Sequence, residues 1–288
     1  MKSTLVYAVT AMLLSVAANA ADPNEFTIRE DVPYLGMDRA EKLDIYLPKG
    51  IQGKIPVVLY IHGGGWAQGD KAWGVEKPNC ESLARVGYAV VSINYKLRTK
   101  GTCDAFPQNV YDCKTAIRWI RKEAATYGFD PDRIAVAGGS AGGHLAMMTA
   151  YTSDVGELNT GGLYTEYPVN VSCVINLFGI ADVRKWGFRS FISDAMPPEE
   201  QQRIKELVSP ITHVNSSTVP TLVIHGTKDP TVPFSQAEAL VETLKEFGVP
   251  HHFISVEGGQ HAFPFIPHPR NNQTNLVPAV LEFLKDHL

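Results

Sequence analysis

The hydrophobic pattern changes character along the chain. After an apolar N-terminal run, Leu43, Ile45 and Leu47 alternate with polar or amphipathic neighbours, the period of a strand with one buried face. Asp31–Tyr34 and Lys42–Leu47 are therefore expected to form a hairpin. From Pro56 onward the apolar runs become nearly continuous. Pro56–His62 and Gly87–Tyr95 read as strands covered on both faces. Val110, Cys113, Ile117 and Ile120 then fall at helical spacing, with Arg118, Arg121 and Lys122 on the outer face. A short strand, Ile134–Ala137, runs into Gly138-Gly139-Ser140, and Ala141–Tyr151 reads as a helix. Val171–Phe178, Thr221–His225 and His252–Val256 are further strands. Between the last two, a helix carries Ala237, Leu240, Val241, Leu244 and Phe247 on one face and stops at Gly248. Leu276–Leu288 is the closing helix.

Residues 182–213 interrupt this alternation with Trp186, Phe188, Phe191, a Pro197-Pro198 pair and an acidic helix-like piece. They are expected to form a small cap insertion over the sheet. The repeated β–α units imply an α/β fold: a mostly parallel, eight-stranded sheet with helices on both faces and right-handed crossovers. No repeat or linker divides the chain, so residues 21–288 are expected to form one domain.

Composition narrows the partners. The 288 residues are 44% hydrophobic and 19% charged, with a net charge of -4. No basic stripe is present, which excludes nucleic acid as a partner. Lys2, the apolar run Leu5–Ala18 and the small residues of Ala18-Asn19-Ala20 have the form of a signal peptide over residues 1–20. The run is short for a bilayer span, so stable membrane insertion is not expected, and the protein should be secreted or periplasmic. Export would permit disulfides among Cys80, Cys103, Cys113 and Cys173. Cys103 and Cys113 bracket a loop-to-helix transition and are the expected pair. The alternative is buried free thiols, which suits Cys173 inside its apolar run. No CxxC or His/Cys cluster suggests a metal.

The chemistry gathers at strand ends. Gly138-Gly139-Ser140-Ala141-Gly142 is a G-x-S-x-G sequence between a strand and a helix, the setting of a tight turn that lifts a serine hydroxyl above a sheet. A serine needs a base. His261, in Gly258-Gly259-Gln260-His261 just past the final strand, is the candidate. His251 and His252 fall at the wrong end of that strand, and His268 lies in a Pro-rich tail. Asp229 follows the strand Thr221–His225 and is the candidate to orient the imidazole. Asp182, after the preceding strand, stays open as an alternative. His62-Gly63-Gly64-Gly65-Trp66 follows the strand Pro56–Ile61 and has the form of a loop donating backbone N–H groups to a developing oxyanion, with His62 as its organiser. Trp66 and Trp186 are candidate substrate-binding side chains, with Trp73 and Phe188 beside them.

Taken together, His62–Asp70, Gly138–His144, the His225-to-Pro233 segment and Gly258–Phe263 resemble the carboxylesterases of the α/β-hydrolase superfamily. The likeness is to the bifunctional feruloyl and acetyl-xylan esterases related to the hormone-sensitive lipases. It implies a triad of Ser140, Asp229 and His261, oxyanion donors at Gly64, Gly65 and Ala141, and no cofactor. It implies a small-molecule or polysaccharide-linked ester as substrate. The His225-to-Pro233 segment is also similar to the prolyl-oligopeptidases, but their propeller-bearing peptidase architecture is not expected here. The HGGGW form is similar to kynurenine formamidase, an amidase whose cytosolic setting is at odds with export. A non-catalytic binding module would be expected to carry a damaged site, and none of the motifs is damaged.

Overall fold

The computed structural model describes residues 25–99, 102–186, 190–268 and 273–288. The expected signal peptide, and Phe188, lie outside the described residues. The strands are β1 (Phe26–Val32), β2 (Leu43–Pro48), β3 (Ile55–Ile61), β4 (Ala89–Ile93), β5 (Phe129–Gly139), β6 (Cys173–Leu177), β7 (Thr221–Gly226) and β8 (His251–Val256). The helices are α1 (Glu76–Ala84), α2 (Gln108–Lys122), α3 (Ala124–Tyr127), α4 (Ala141–Tyr151), α5 (Pro198–Leu207), α6 (Ser235–Glu246) and α7 (Val277–His287).

The strands form one eight-stranded sheet in the order β1-β2-β4-β3-β5-β6-β7-β8. β1 pairs antiparallel with β2, and β2 with β4. From β4 onward every pairing is parallel. Side chains alternate between faces along each central strand. On β3, Val57, Leu59 and Ile61 join a core that includes Ile117 of α2, Leu145 of α4 and Leu240 of α6. Val58 and Tyr60 join the opposite core, with Leu83 of α1 and Phe283 of α7. Burial on both faces is the reason these strands read as unbroken apolar runs.

The hairpin differs from expectation. Its first strand is Phe26–Val32, and Tyr34 lies beyond it. Arg29-Glu30-Asp31 hides the pattern because β1 is an edge strand, where charge is tolerated on a largely solvated element. Tyr34 is buried from a loop position and its hydroxyl donates to the Asn94 carbonyl at 2.6 Å. The expected Cys103–Cys113 bridge is also absent, because all four cysteines are free thiols. Cys113 points into the core on α2 beside Thr149 of α4, whereas Cys103 stays half-buried in the loop ahead of α2. Among the described residues, no helix is long and apolar enough to cross a membrane.

A buried lysine ties α2 to the far end of α4. Lys114 Nζ donates to the Thr152 carbonyl (2.7 Å) and to Asn159 Oδ1 (2.8 Å). Burial, aided by Arg118, lowers its ammonium from the ordinary 10.5 to about 7. The unfolded chain therefore binds this proton more tightly between those values, and stability falls as pH drops through that window. Lys114→Met should flatten the change in unfolding free energy between pH 7 and pH 10, measured by urea titration. An unchanged slope would count against this role.

Candidate active site

The turn at Ser140 is forced by close packing on every side. Ser140 adopts φ 56° and ψ -120°, a left-handed conformation that is strained for a residue with a Cβ. It is held there by its N–H on the Leu177 carbonyl (2.9 Å) and by its carbonyl, which accepts from His144 N–H (3.0 Å). The flanking glycines are sterically required. A Cβ on Gly142 would lie 2.0 Å from the Ile61 carbonyl oxygen, and one on Gly138 would lie 2.4 Å from the Gly142 oxygen. The start of α4 thus rests directly on the ends of β3 and β5. Gly142→Ala should lower the unfolding free energy by at least about 3 kcal/mol, since the clash is with backbone that cannot rotate away. A wild-type urea midpoint for this variant would contradict that packing.

Three side chains from three strand ends converge on this turn. The Ser140 hydroxyl donates to His261 Nε2 at 2.9 Å, and His261 Nδ1–H donates to Asp229 Oδ2 at 2.6 Å. Phe178 packs edge-on against the imidazole, with ring centroids 5.0 Å apart. The Asp229 side chain is buried, and its other oxygen accepts the N–H groups of Thr231 (2.8 Å) and Val232 (2.9 Å). Burial opposes its charge, but hydrogen bonds from His225 and His261 outweigh that and hold the carboxyl well below the usual carboxylate range. His225 Nε2 lies 3.4 Å from Asp229 Oδ2 and 2.9 Å from the Val232 carbonyl.

Asp182 is not part of this cluster. Its carboxylate is buried against the Arg184 guanidinium at 2.8 and 2.9 Å. Gln236 grips its backbone, accepting from Asp182 N–H at 2.7 Å and donating to the Asp182 carbonyl at 3.1 Å. His251 and His252 begin β8, at the opposite end of the strand from His261, and His268 does not line the cleft.

The glycine loop after β3 borders the serine. Gly64 (φ 108°) and Gly65 (φ 62°) both need a left-handed backbone. His62 is buried and stacked on Tyr95, with centroids 4.4 Å apart. Burial lowers its imidazole to about 4, so it is neutral, and Nδ1–H donates to the Gly63 carbonyl at 2.6 Å. The loop's far side is stapled by Asp70, which accepts from Ala72 N–H (2.9 Å) and from the Asn94 amide (2.8 Å). Gly63 N–H is taken by Glu76, whereas among the described residues nothing engages the N–H groups of Gly64 and Gly65. Ala141 opens α4, so its N–H has no partner within the helix.

These groups line one open cleft of about 970 Å³. Gly64, Gly65, Ser140, Ala141, Phe178 and His261 are among its lining residues. Trp66 contributes to the wall but is 1% exposed, its ring packed edge-on against Phe191 (4.8 Å), His144 (5.1 Å) and Trp186 (5.7 Å). Trp73, on the rim, is 63% exposed. The segment between β6 and β7 supplies Trp186 and Phe191, and so rests on the loop tryptophan. Glu76 and Arg98 also line the cleft, and neither was singled out from sequence. Glu76 lies on α1, whose buried positions include Glu76 and Asn79. Polar residues at buried sites broke the apolar stripe that would have marked that helix. The spacing of Cys80, Leu83 and Ala84 was the remaining signal.

The sheet order, the left-handed serine turn and the Ser140–His261–Asp229 chain together define an α/β-hydrolase. Residues 43–244 match the family model described as BD-FAE, and the chain belongs to that family. Over 274 residues it is 31% identical to a probable carboxylic ester hydrolase, LipM, of Mycobacterium tuberculosis, covering 89% of this chain and 60% of that protein. The chain spans 60–61% of the length of the first curated relatives it matches. Among solved structures, a truncated carbohydrate esterase from gut microbiota superimposes with a TM-score of 0.80 at 27% identity, covering 93% of this chain and 98% of that one. The butyrate-bound thermophilic esterase Est2 of Thermogutta terrifontis does so at 0.72 and 26%, covering 92% and 95%.

Proposed function

We propose that this protein is a carboxylic-ester hydrolase that works through an acyl-enzyme on Ser140. The observation that carries the reading is the unbroken hydrogen-bond chain from Ser140 through His261 to the buried carboxylate of Asp229. His261 Nε2 takes the serine proton as Oγ attacks the ester carbonyl, and Asp229 stabilises the imidazolium without taking its proton. The N–H groups of Gly64, Gly65 and Ala141 receive the oxyanion, each accounting for about 3–4 kcal/mol of transition-state stabilisation. His261 returns its proton to the departing alcohol, then activates the water that releases the acid.

For substrate we propose short-chain or aromatic acyl esters of plant polysaccharide, taken up by a protein exported through its N-terminal segment. An open cleft lined by Trp73 and Trp186, with Trp66 packed behind them, supports this, as does the similarity to a carbohydrate esterase and to an esterase holding butyrate. The test has two stages. A fluorophosphonate probe should label wild type and not Ser140→Ala; equal labelling of both would refute the hydrolase reading and favour a binding module. Purified protein should then release acetate from acetylated xylan or ferulate from methyl ferulate. Turnover of simple acyl esters alone would discard the polysaccharide. Edman sequencing of the exported protein should begin at Ala21, and a retained Met1 would count against export.

A further inference from the structure

The cleft holds a carboxylate that the acyl-transfer steps do not use. Glu76 opens α1, is 8% exposed, and its Oε1 accepts the Gly63 N–H at 3.1 Å. We infer that Glu76 is a positioning residue that fixes the oxyanion loop through Gly63. Its effect on rate rests on the ester-hydrolase reading above; its effect on the loop does not.

Gly63 is the point where the loop meets the serine turn. A Cβ there would lie 3.0 Å from the Gly139 carbonyl oxygen and 3.4 Å from Ser140 Cβ. The two peptide planes flanking Gly63 are each gripped from outside the loop backbone. In the first, the His62 carbonyl accepts the Tyr95 hydroxyl (3.0 Å) while Gly63 N–H donates to Glu76. In the second, the Gly63 carbonyl accepts from the His62 imidazole. A trans peptide is planar, with N–H opposed to C=O, so holding the Gly63 carbonyl aims Gly64 N–H the other way. That aim is only as firm as the plane before it, because glycine has little conformational preference of its own. Glu76 is the one acidic anchor of that plane. Without it Gly63 N–H loses its acceptor, and the first plane is held only by the Tyr95 hydroxyl on the His62 carbonyl. Oxyanion donors act by being pre-set, so loosening them lowers the rate of chemistry while leaving substrate binding largely intact.

Several titratable groups feel the charge of Glu76: Asp70 in the loop, Tyr60 on β3, Cys80 on α1 and Tyr95 after β4. Burial raises the Glu76 carboxyl above its ordinary value, while N–H groups of Gly63, Val75 and Glu76 itself pull it back. A purely structural role, an acid in the first turn of α1, would affect stability alone.

Steady-state hydrolysis of p-nitrophenyl acetate by the full chain separates these roles. Glu76→Ala should lower kcat about 10- to 100-fold with KM within about threefold. Glu76→Gln should recover most of the lost kcat, because its amide oxygen still accepts from Gly63. A wild-type kcat for Glu76→Ala, or a Glu76→Gln variant as impaired as the alanine, would overturn the inference. A second readout needs no activity. In NMR of the full chain, the Gly63 amide resonance should titrate with a midpoint above the ordinary glutamate range in wild type, and not in Glu76→Gln. A Gly63 amide insensitive to pH in wild type would also overturn it. A titrating amide in a protein that hydrolyses no ester would leave the anchor standing and remove the hydrolase reading.

Discussion

Ser140→Ala is expected to lower kcat/KM for a small acyl ester by at least about 10⁴-fold, with little change in the urea midpoint. The size of the effect follows from the connectivity of the site. In the proposed mechanism the Ser140 hydroxyl forms the covalent bond to the acyl group, and His261 and Asp229 act through it. Alanine also relieves nothing in the backbone, since the left-handed φ is imposed by the packing of β3, β5 and α4 and a Cβ remains. The oxyanion loop stays intact, so a residual rate above water is expected. A variant that keeps a tenth of the wild-type kcat/KM would mean that the chemistry runs through another group.

The second large effect separates two carboxylates. Asp229→Asn should cost about 10⁴-fold in kcat at neutral pH, because the amide no longer holds Nδ1–H and the imidazole can present the wrong nitrogen to Ser140. Asp182→Asn should leave kcat within a few-fold and instead lower the thermal midpoint. Its carboxylate is buried against Arg184 and its backbone is gripped by Gln236, so its contribution is to the junction between β6 and α6. Measuring kcat and melting temperature for both variants tests the assignment. The reverse pattern, with Asp182→Asn inactive and Asp229→Asn active, would transfer the acid role to Asp182.

The central sheet and the motifs that meet at the candidate site were legible because each rests on a short-range rule. Pro56–His62, Gly87–Tyr95 and Val171–Phe178 are apolar on both faces since helices cover both faces. Ala141–Tyr151 is bounded as expected, the strained serine before it acting as a sharp start. Elements that depend on context were less visible. β1 carries its charges because it is an edge, and its buried neighbour Tyr34 gave a strand-like signal from a loop. α1 escaped notice because Asn79, buried on its core-facing side, donates to the Tyr60 hydroxyl (2.7 Å) and accepts from Phe265 N–H (2.7 Å). Those polar contacts exist only in the folded molecule. Asp182 and Asp229 could not be separated by position alone, since both follow a strand at the carboxyl edge. What distinguishes them is the neighbouring arginine, which sequence places next to Asp182 without saying where it points.

The serine and its base come from distant parts of the chain, His261 lying 121 residues beyond Ser140 and reached only after β8 has paired with β7. Without β8 paired to β7, the Ser140 hydroxyl would lack the His261 acceptor it has in the folded molecule. The hydrogen bond that would activate Ser140 therefore exists only in the assembled sheet. A covalent probe of Ser140 would in effect count finished molecules, and a partly made or partly opened chain would carry its serine unarmed.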